Sequence, residues 1–382
     1  MRNKISSILF ILMLLTGSGL HLLLPDRVYS ERERRKLEPL PDVSARSILS
    51  GEFGRKLETY LADQFPGRED WVALQTITER ILGKRESGGV YYANDGYLIE
   101  ACRSLNNRQL AANTQAVKAL QDELDGLGIP MHTLLVPTAS QILHDKLPPY
   151  APNADQQTVT DYVTEKGLHT VVVSPILSEH KDEYIYYKAD HHWTSLGAYY
   201  AYAAWMQSKG QCADRLDAWQ KETLATDFRG TTYNKVNDPW AAYDTIDAYY
   251  KNVEHSVDYN RGYYVTKSIY ERRYLDSRDK YAVFLNSNQE TTVVRRKTDP
   301  NATATREMEN GLGGKLLIIK DSYANTFAQF VVDDYAETHL IDLRFFRGSV
   351  LQYIREQGIT EVLVLYSIPD FAAETAIPHC SR

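Results

Sequence analysis

From Asn107 onward, short apolar runs alternate with segments of helical period, and that alternation leaves few folds open to the chain. The spacing predicts a helix from Asn107 to about Leu127, a strand at His132–Val136, a helix around Gln156–Lys166 and a strand at His169–Val173. The rhythm resumes with strand Lys315–Ile319, helix Ala324–Asp333, strand Thr338–Leu343, helix Ser349–Glu356 and strand Glu361–Tyr366. Parallel strands need long crossovers, so each connection carries a helix and both faces of the sheet become covered. The expectation is an α/β fold with a largely parallel sheet and right-handed crossovers. Between the two runs, residues 226–309 are dominated by β-type residues and turns. They read as an inserted β-rich region or as lobes framing a cleft.

Ahead of this body the pattern changes. Residues 43–85 read as a helical segment, with Ile48, Phe53, Leu57, Tyr60 and Leu61 at helical spacing. Asp63-Gln64-Phe65-Pro66-Gly67-Arg68 breaks it, and a second helix follows from Glu69. Residues 25–42 are charged and proline-bounded, as in a linker. In residues 1–24, Arg2 and Lys4 precede an apolar run, Ile5 to Leu15, that continues through Thr16-Gly17-Ser18-Gly19 into Leu20–Leu24. Its length, about twenty residues, suffices to span a bilayer. Arg27, Arg32, Arg34, Arg35 and Lys36 would hold the following side in the cytosol, yet long domains translocate largely regardless of flanking charge. The expectation is a single membrane anchor with an extracytoplasmic body, or a secreted protein if the segment is cleaved near Thr16 and Ser18. The main body is expected over residues 86–382.

Of 382 residues, 43% are hydrophobic and 24% charged, ordinary values for a globular chain. A net charge of −7 without a basic run in the body argues against nucleic acid as a partner. The 27 tyrosines, against 10 phenylalanines, suit sugar stacking, but equally half-buried strands, which we favour. Cys102, Cys212 and Cys380 are odd in number and far apart, which excludes a zinc ribbon or disulfide scaffold and leaves room for one disulfide.

Two stretches carry chemistry. In Lys188-Ala189-Asp190-His191-His192-Trp193-Thr194-Ser195, a carboxylate and two imidazoles precede a helix over Ser195–Gln207 that Thr194 caps. The stretch reads as the Asp–His half of a nucleophilic triad, as a metal site, or as a strand-to-helix junction whose polar groups only cap. In an extended backbone Asp190 and His192 share one face and His191 points away. That disfavours a metal site, and no metal or cofactor is expected. In the second stretch, apolar Leu316–Ile319 runs into Lys320-Asp321-Ser322 and then a helix. A serine there sits at the carboxyl end of a strand, where open α/β sheets place their ligands. The N–H groups from Tyr323 onward lie at a helix N-terminus and could stabilise an oxyanion. The alternative is a plain helix cap by Ser322 or Asp321.

Asp190-His191-His192-Trp193 resembles the signature of the bacterial DHHW proteins, relatives of the alginate O-acetylation proteins of the SGNH hydrolase superfamily. The likeness extends to Asp63–Arg68, Phe228-Arg229-Gly230-Thr231, Asp279–Phe284 and Lys320-Asp321-Ser322-Tyr323-Ala324-Asn325. It implies a permuted, flavodoxin-like α/β/α sandwich with Ser322 as nucleophile, His192 as base and Asp190 as its orienter. The chain departs from the superfamily pattern in having Lys320 where glycine usually precedes Asp-Ser, and Asp190 two residues before His192 rather than three. For the oxyanion asparagine, Asn288 and Asn325 are the candidates, with Asn325 facing along its helix. The implied activity is O-acetyl transfer to a cell-surface polysaccharide. An acetylesterase and a non-catalytic carbohydrate-binding component are the alternatives. A multi-spanning membrane O-acyltransferase that supplies the acetyl group is the implied partner.

Overall fold

The computed structural model describes residues 2–30, 35–297 and 313–381. The chain forms two compact units, Met1–Gly88 with Tyr233–Trp240, and Gly89–Thr232 with Ala241–Arg382. The first unit contains helices α1 (Arg2–Leu23), α2 (Ala45–Leu49), α3 (Glu52–Asp63) and α4 (Arg68–Ile81). The break between α3 and α4 falls in the Asp63–Arg68 stretch, where Gly67 adopts a left-handed φ of 66°. Within residues 25–42, the described residues make hydrogen bonds to each other and to α3 and the turn after it. Tyr29–Ser30 pairs antiparallel with Arg35–Lys36. The Gln64 amide donates 2.9 Å to the Arg27 carbonyl, and the Glu38 N–H donates 2.9 Å to Asp63. Segment 233–240 packs on α4, where Thr76 Oγ1 donates 2.7 Å to the Val236 carbonyl and Arg80 pairs with Asp238 at 2.5 Å.

The membrane segment expected over residues 1–24 lies in α1. Among the described residues no helix is long and apolar enough to cross a membrane. Thr16-Gly17-Ser18-Gly19 and His21 interrupt the apolar run, and the end of α1 rests on protein. His21 Nδ1 lies 3.3 Å from the Gln64 carbonyl, and its ring meets Tyr60 edge-on at 5.5 Å.

The second unit is organised on an eight-stranded sheet. In chain order its strands are β1 (Met131–Val136), β2 (Thr170–Val171), β3 (His255–Tyr259), β4 (Tyr264–Thr266), β5 (Thr291–Arg296), β6 (Lys315–Lys320), β7 (Glu337–Ile341) and β8 (Glu361–Ser367). The spatial order is β4-β3-β5-β7-β6-β8-β1-β2. From β7 through β2 neighbouring strands are parallel. On the other side β5, β3 and β4 continue the sheet antiparallel. Of the β-rich stretch 226–309, the described strands β3, β4 and β5 join this sheet. β5 lays a full ladder on β7 and so extends the parallel core, while Gln220–Phe228 and Asp244–Tyr250 form a separate two-stranded ribbon.

Alternation along the strands divides two cores. Leu316 and Ile318 of β6 face one, with Leu134, Val136, Leu363 and Leu365. Leu317 and Ile319 face the other, with Leu135, Val362 and Val364. Helices Ser195–Ser208 and Ala324–Val331 cover the first core through Trp205, Tyr202, Phe327 and Phe330. Helices Asn107–Gly126, Gln157–Glu165 and Val350–Gln357 cover the second through Leu120, Leu124, Val163 and Ile354. Each such side chain contributes roughly 1.5–3 kcal/mol by leaving water. Several tyrosines serve as core: Tyr186, Tyr187, Tyr202 and Tyr259 are fully buried. The three cysteines are free thiols.

Candidate active site

The loop carrying Asp190 and His192 is the tip of a hairpin-like turn. Tyr186 and Trp193 form an antiparallel bridge, and the Tyr187 N–H donates 3.2 Å to the His192 carbonyl. Thr194 then caps the helix Ser195–Ser208, accepting from the Gly197 N–H at 3.4 Å while donating 2.6 Å to the Tyr184 carbonyl. Gly197 has to be glycine, because a Cβ there would sit 2.3 Å from the Ile185 carbonyl oxygen. Asp244 pins the other limb. It accepts from the Lys188 and Ala189 N–H groups at 2.7 Å each and from Tyr184 Oη at 2.5 Å. Burial pushes the Asp244 carboxyl up to about 6 against those hydrogen bonds.

At the tip the backbone bends, so Asp190 folds back on its neighbour. Its Oδ1 accepts from the His192 N–H at 2.9 Å and from His192 Nδ1 at 2.5 Å. Its Oδ2 accepts from the Thr231 N–H at 2.8 Å and Thr231 Oγ1 at 3.0 Å. Burial alone would raise this carboxyl. The charges of His192 and His191, with the His192 and Thr231 hydrogen bonds, instead hold it well below the usual carboxylate range. A carboxylate only accepts, so Nδ1 of His192 carries the proton and Nε2 offers its lone pair. Nε2 lies 2.7 Å from Ser322 Oγ, across 130 residues of sequence. Tyr281 stacks flat on the imidazole at 3.8 Å between ring centroids, 8° apart, and its hydroxyl donates 3.0 Å to the Ser322 carbonyl.

Ser322 sits just past β6, ahead of the helix Ala324–Val331, and is half-buried. Asp321 acts as the local cap: its Oδ1 accepts from the Tyr323 N–H at 2.9 Å, and its Oδ2 from the Ser367 N–H at 2.7 Å. Burial and the nearby Asp370 push the Asp321 carboxyl up to about 8 against those two bonds. The Tyr323 N–H, expected to face an oxyanion, is therefore engaged by Asp321. Among the described residues the Ser322 N–H has no acceptor, and it is the free donor at this turn. Asn288 lies beside the turn, its Oδ1 accepting from Lys320 Nζ at 2.9 Å. Asn325 Nδ2 points at the same loop, 3.4 Å from the Ser287 carbonyl.

His191 does not point away as an extended backbone would require. The bend brings its ring to 3.8 Å from the His192 ring, tilted by 38°. Burial and the His192 charge lower it to about 4 against the pull of Asp190. Its Nδ1 is hydrogen-bonded to Thr231 Oγ1, and its carbonyl accepts from Tyr323 Oη. Asp190, His191 and His192 are the one group of ligand-type side chains gathered within 4.8 Å among the described residues. Both Asp190 oxygens and both His192 nitrogens already have protein partners, so a metal ion would have to displace the Asp190–His192–Ser322 chain.

Gly230 and Thr231 complete the arrangement. A Cβ on Gly230 would lie 2.0 Å from Asp190 Oδ2 and 2.5 Å from its Cβ and Cγ. Their only sequence signal was the short Phe228–Thr231 motif, and Tyr281 had only Asp279–Phe284. Asp244 carried none.

The family model for DHHW proteins matches residues 88–341, which include every group just described except Ser367 and Asp370. The chain belongs to the DHHW family. A DHHW family protein from Eubacterium siraeum is similar in structure, at 24% identity and a TM-score of 0.62 over 77% of this chain and 95% of that one. Bacillus cereus PatB1, solved with a sulfonyl adduct, is similar at 17% identity and a TM-score of 0.60, over 75% of this chain and 98% of that one. The O-acetyltransferase domain of Pseudomonas putida AlgJ matches at 12% identity and a TM-score of 0.47, over 75% and 93% of the two chains. At these identities the first two likenesses, with TM-scores of 0.60 and above, show a shared mixed α/β fold with a large, mainly parallel sheet and no more. No curated protein matches the chain.

Proposed function

We propose that this DHHW protein is an SGNH-type O-acetyltransferase that acts on a cell-surface polysaccharide through Ser322, His192 and Asp190. The observation that carries the reading is the continuous chain from Asp190 Oδ1 to His192 Nδ1 at 2.5 Å and from His192 Nε2 to Ser322 Oγ at 2.7 Å. Ser322 Oγ attacks the carbonyl carbon of an acetyl ester donor, the carbonyl electron pair moves to oxygen, and His192 Nε2 takes the hydroxyl proton. Collapse expels the donor's alcohol, which receives that proton, and leaves acetyl-Ser322. His192 then deprotonates a sugar hydroxyl, which attacks the acetyl carbon, and Ser322 Oγ recovers the proton as it leaves. The Ser322 N–H and the Asn288 amide are the donors we assign to the oxyanion. The same reading places the protein outside the cytoplasm at the membrane, supplied with acetyl groups by a multi-spanning membrane O-acyltransferase. The half-exposed Ser322 favours a second reading, an acetylesterase in which water takes the sugar's place.

A serine-reactive sulfonyl fluoride is expected to label Ser322 in the wild type, and to label neither Ser322→Ala nor His192→Ala. Correctly folded wild-type protein that takes no label would remove the enzyme reading. In cells, loss of surface-glycan acetyl with Ser322→Ala indicates transfer and a gain indicates esterase action.

A further inference from the structure

Lys320 ends β6 two residues before Ser322, and its side chain is buried, with only 2% exposed. A buried ammonium ordinarily sits against a carboxylate. Among the described residues this one donates only to Asn288 Oδ1 at 2.9 Å and to the Asp321 carbonyl at 3.4 Å. The nearby carboxylates are committed elsewhere. Asp342 is held by Arg344, 2.8 Å from Nε to Oδ1 and 2.5 Å from Nη2 to Oδ2, and Asp321 by two backbone N–H groups. Burial accordingly lowers the amine to about 8 against the pull of Asp342.

Asn288 reaches this ammonium by an unusual route. Leu285, Asn286 and Ser287 adopt left-handed φ values of 53°, 57° and 66° in succession, though none is glycine. Such a run costs conformational energy at each residue and persists only where surrounding contacts enforce it. Here they do. The Leu285 N–H donates 2.8 Å to the Ile269 carbonyl, and Asn286 Oδ1 accepts from Arg273 at 2.9 Å and Tyr274 at 2.7 Å. Lysine has donors and no acceptor, so it can face only the oxygen of the Asn288 amide. Asn325 Nδ2, 3.5 Å from the same oxygen, agrees with that orientation. Among the described residues the Asn288 Nδ2 group, on the other side of the amide from that oxygen, donates to nothing.

We propose that Lys320 is a positioning residue: by holding the Asn288 carbonyl oxygen, it presents the Asn288 N–H group beside Ser322 as the second oxyanion donor. The inference rests on the acyl-transfer reading of Ser322.

The test is a double-mutant cycle on the full chain, with p-nitrophenyl acetate as the substrate. Lys320→Met is expected to lower kcat about 10- to 100-fold with KM within about twofold, since a donor facing the transition state is lost. Asn288→Ala is expected to do the same. The double variant should match Asn288→Ala alone, because Lys320 acts through that amide. A double variant that loses the product of the two factors, or a Lys320→Met enzyme with wild-type kcat, overturns the proposal. Asn288→Asp keeps the site filled and gives Lys320 a carboxylate, so it guards against misfolding of Lys320→Met. It should fold and lose kcat, and wild-type kcat in that variant also overturns the proposal. A wild type that neither turns over the ester nor takes the sulfonyl label removes the acyl-transfer reading itself. A labelled wild type with additive variants removes only the role of Lys320.

Discussion

The two sides of the candidate site bury opposite charges and treat them differently. On the histidine side, Asp190 receives four hydrogen bonds, two from His192 and two from Thr231, and its charge is matched. On the serine side, Lys320 is as deeply buried, yet it meets one amide oxygen and one weak carbonyl contact. In a low-dielectric interior a fully satisfied network is rigid, and a partly satisfied one is costly. The Asp190 side is thus built to hold one geometry and one tautomer. The Lys320 side keeps free donors, the Ser322 N–H and the Asn288 amide, where a developing negative charge would complete the set.

The largest expected effect breaks the saturated side. All four partners of Asp190 are donors, two to each oxygen, so in Asp190→Asn two of them must face the amide NH2 group. Loss of the Nδ1-protonated tautomer should lower kcat on p-nitrophenyl acetate by about 10³- to 10⁴-fold with little change in fold. Circular dichroism and steady-state kinetics on one preparation check both halves. The next effect comes from Gly230→Ala, whose methyl would sit within 2.5 Å of three Asp190 atoms. It should lower stability by on the order of 1–3 kcal/mol and remove most of the activity. A thermal melt and a sulfonyl labelling rate would show it. If Gly230→Ala labels at the wild-type rate, the close packing of Gly230 on Asp190 is not what holds the histidine.

The smallest effect on activity, a shift of stability with pH, sharpens the contrast. Burial lowers Lys320 to about 8 in the folded chain, against an ordinary value of 10.5. Between those values the unfolded chain holds a proton that the native one lacks, so stability rises with pH across that window. Below about pH 8 both states are charged and the native state carries the whole cost. Relative to Lys320→Met, the wild type should gain stability from pH 8 to 10.5, by at most about 3 kcal/mol. Urea melts at several pH values would measure it. A constant difference between the two proteins would mean that the ammonium is not destabilised by burial.

Part of this site was legible from residue order, and part was not. Ser322 at the end of an apolar strand, the Asp190–His192 spacing and the Thr194 cap are local patterns, and they stand where the sequence placed them. An extended backbone, however, is not what brings Asp190 to His192. The loop bends, the contact forms by folding back, and the same bend brings His191 against His192 rather than away from it. The Tyr323 N–H, expected to face an oxyanion, is engaged by Asp321, two residues earlier in the chain. Gly230, Thr231 and Asp244 carry no chemical signature of their own, and their importance exists only where Asp190 and the 188–189 backbone meet them.

The sequence by itself determined the alternation of strands and helices from Asn107 on, and with it a sheet covered on both faces, because side-chain period is set within a few residues. Tertiary structure alone decided that β5, β3 and β4 extend that sheet, that Ser322 meets His192 from 130 residues away, and that Lys320 meets Asn288. Those contacts depend on strand order and on which loops converge at one end of the sheet. A backbone pattern read locally carries no term for either.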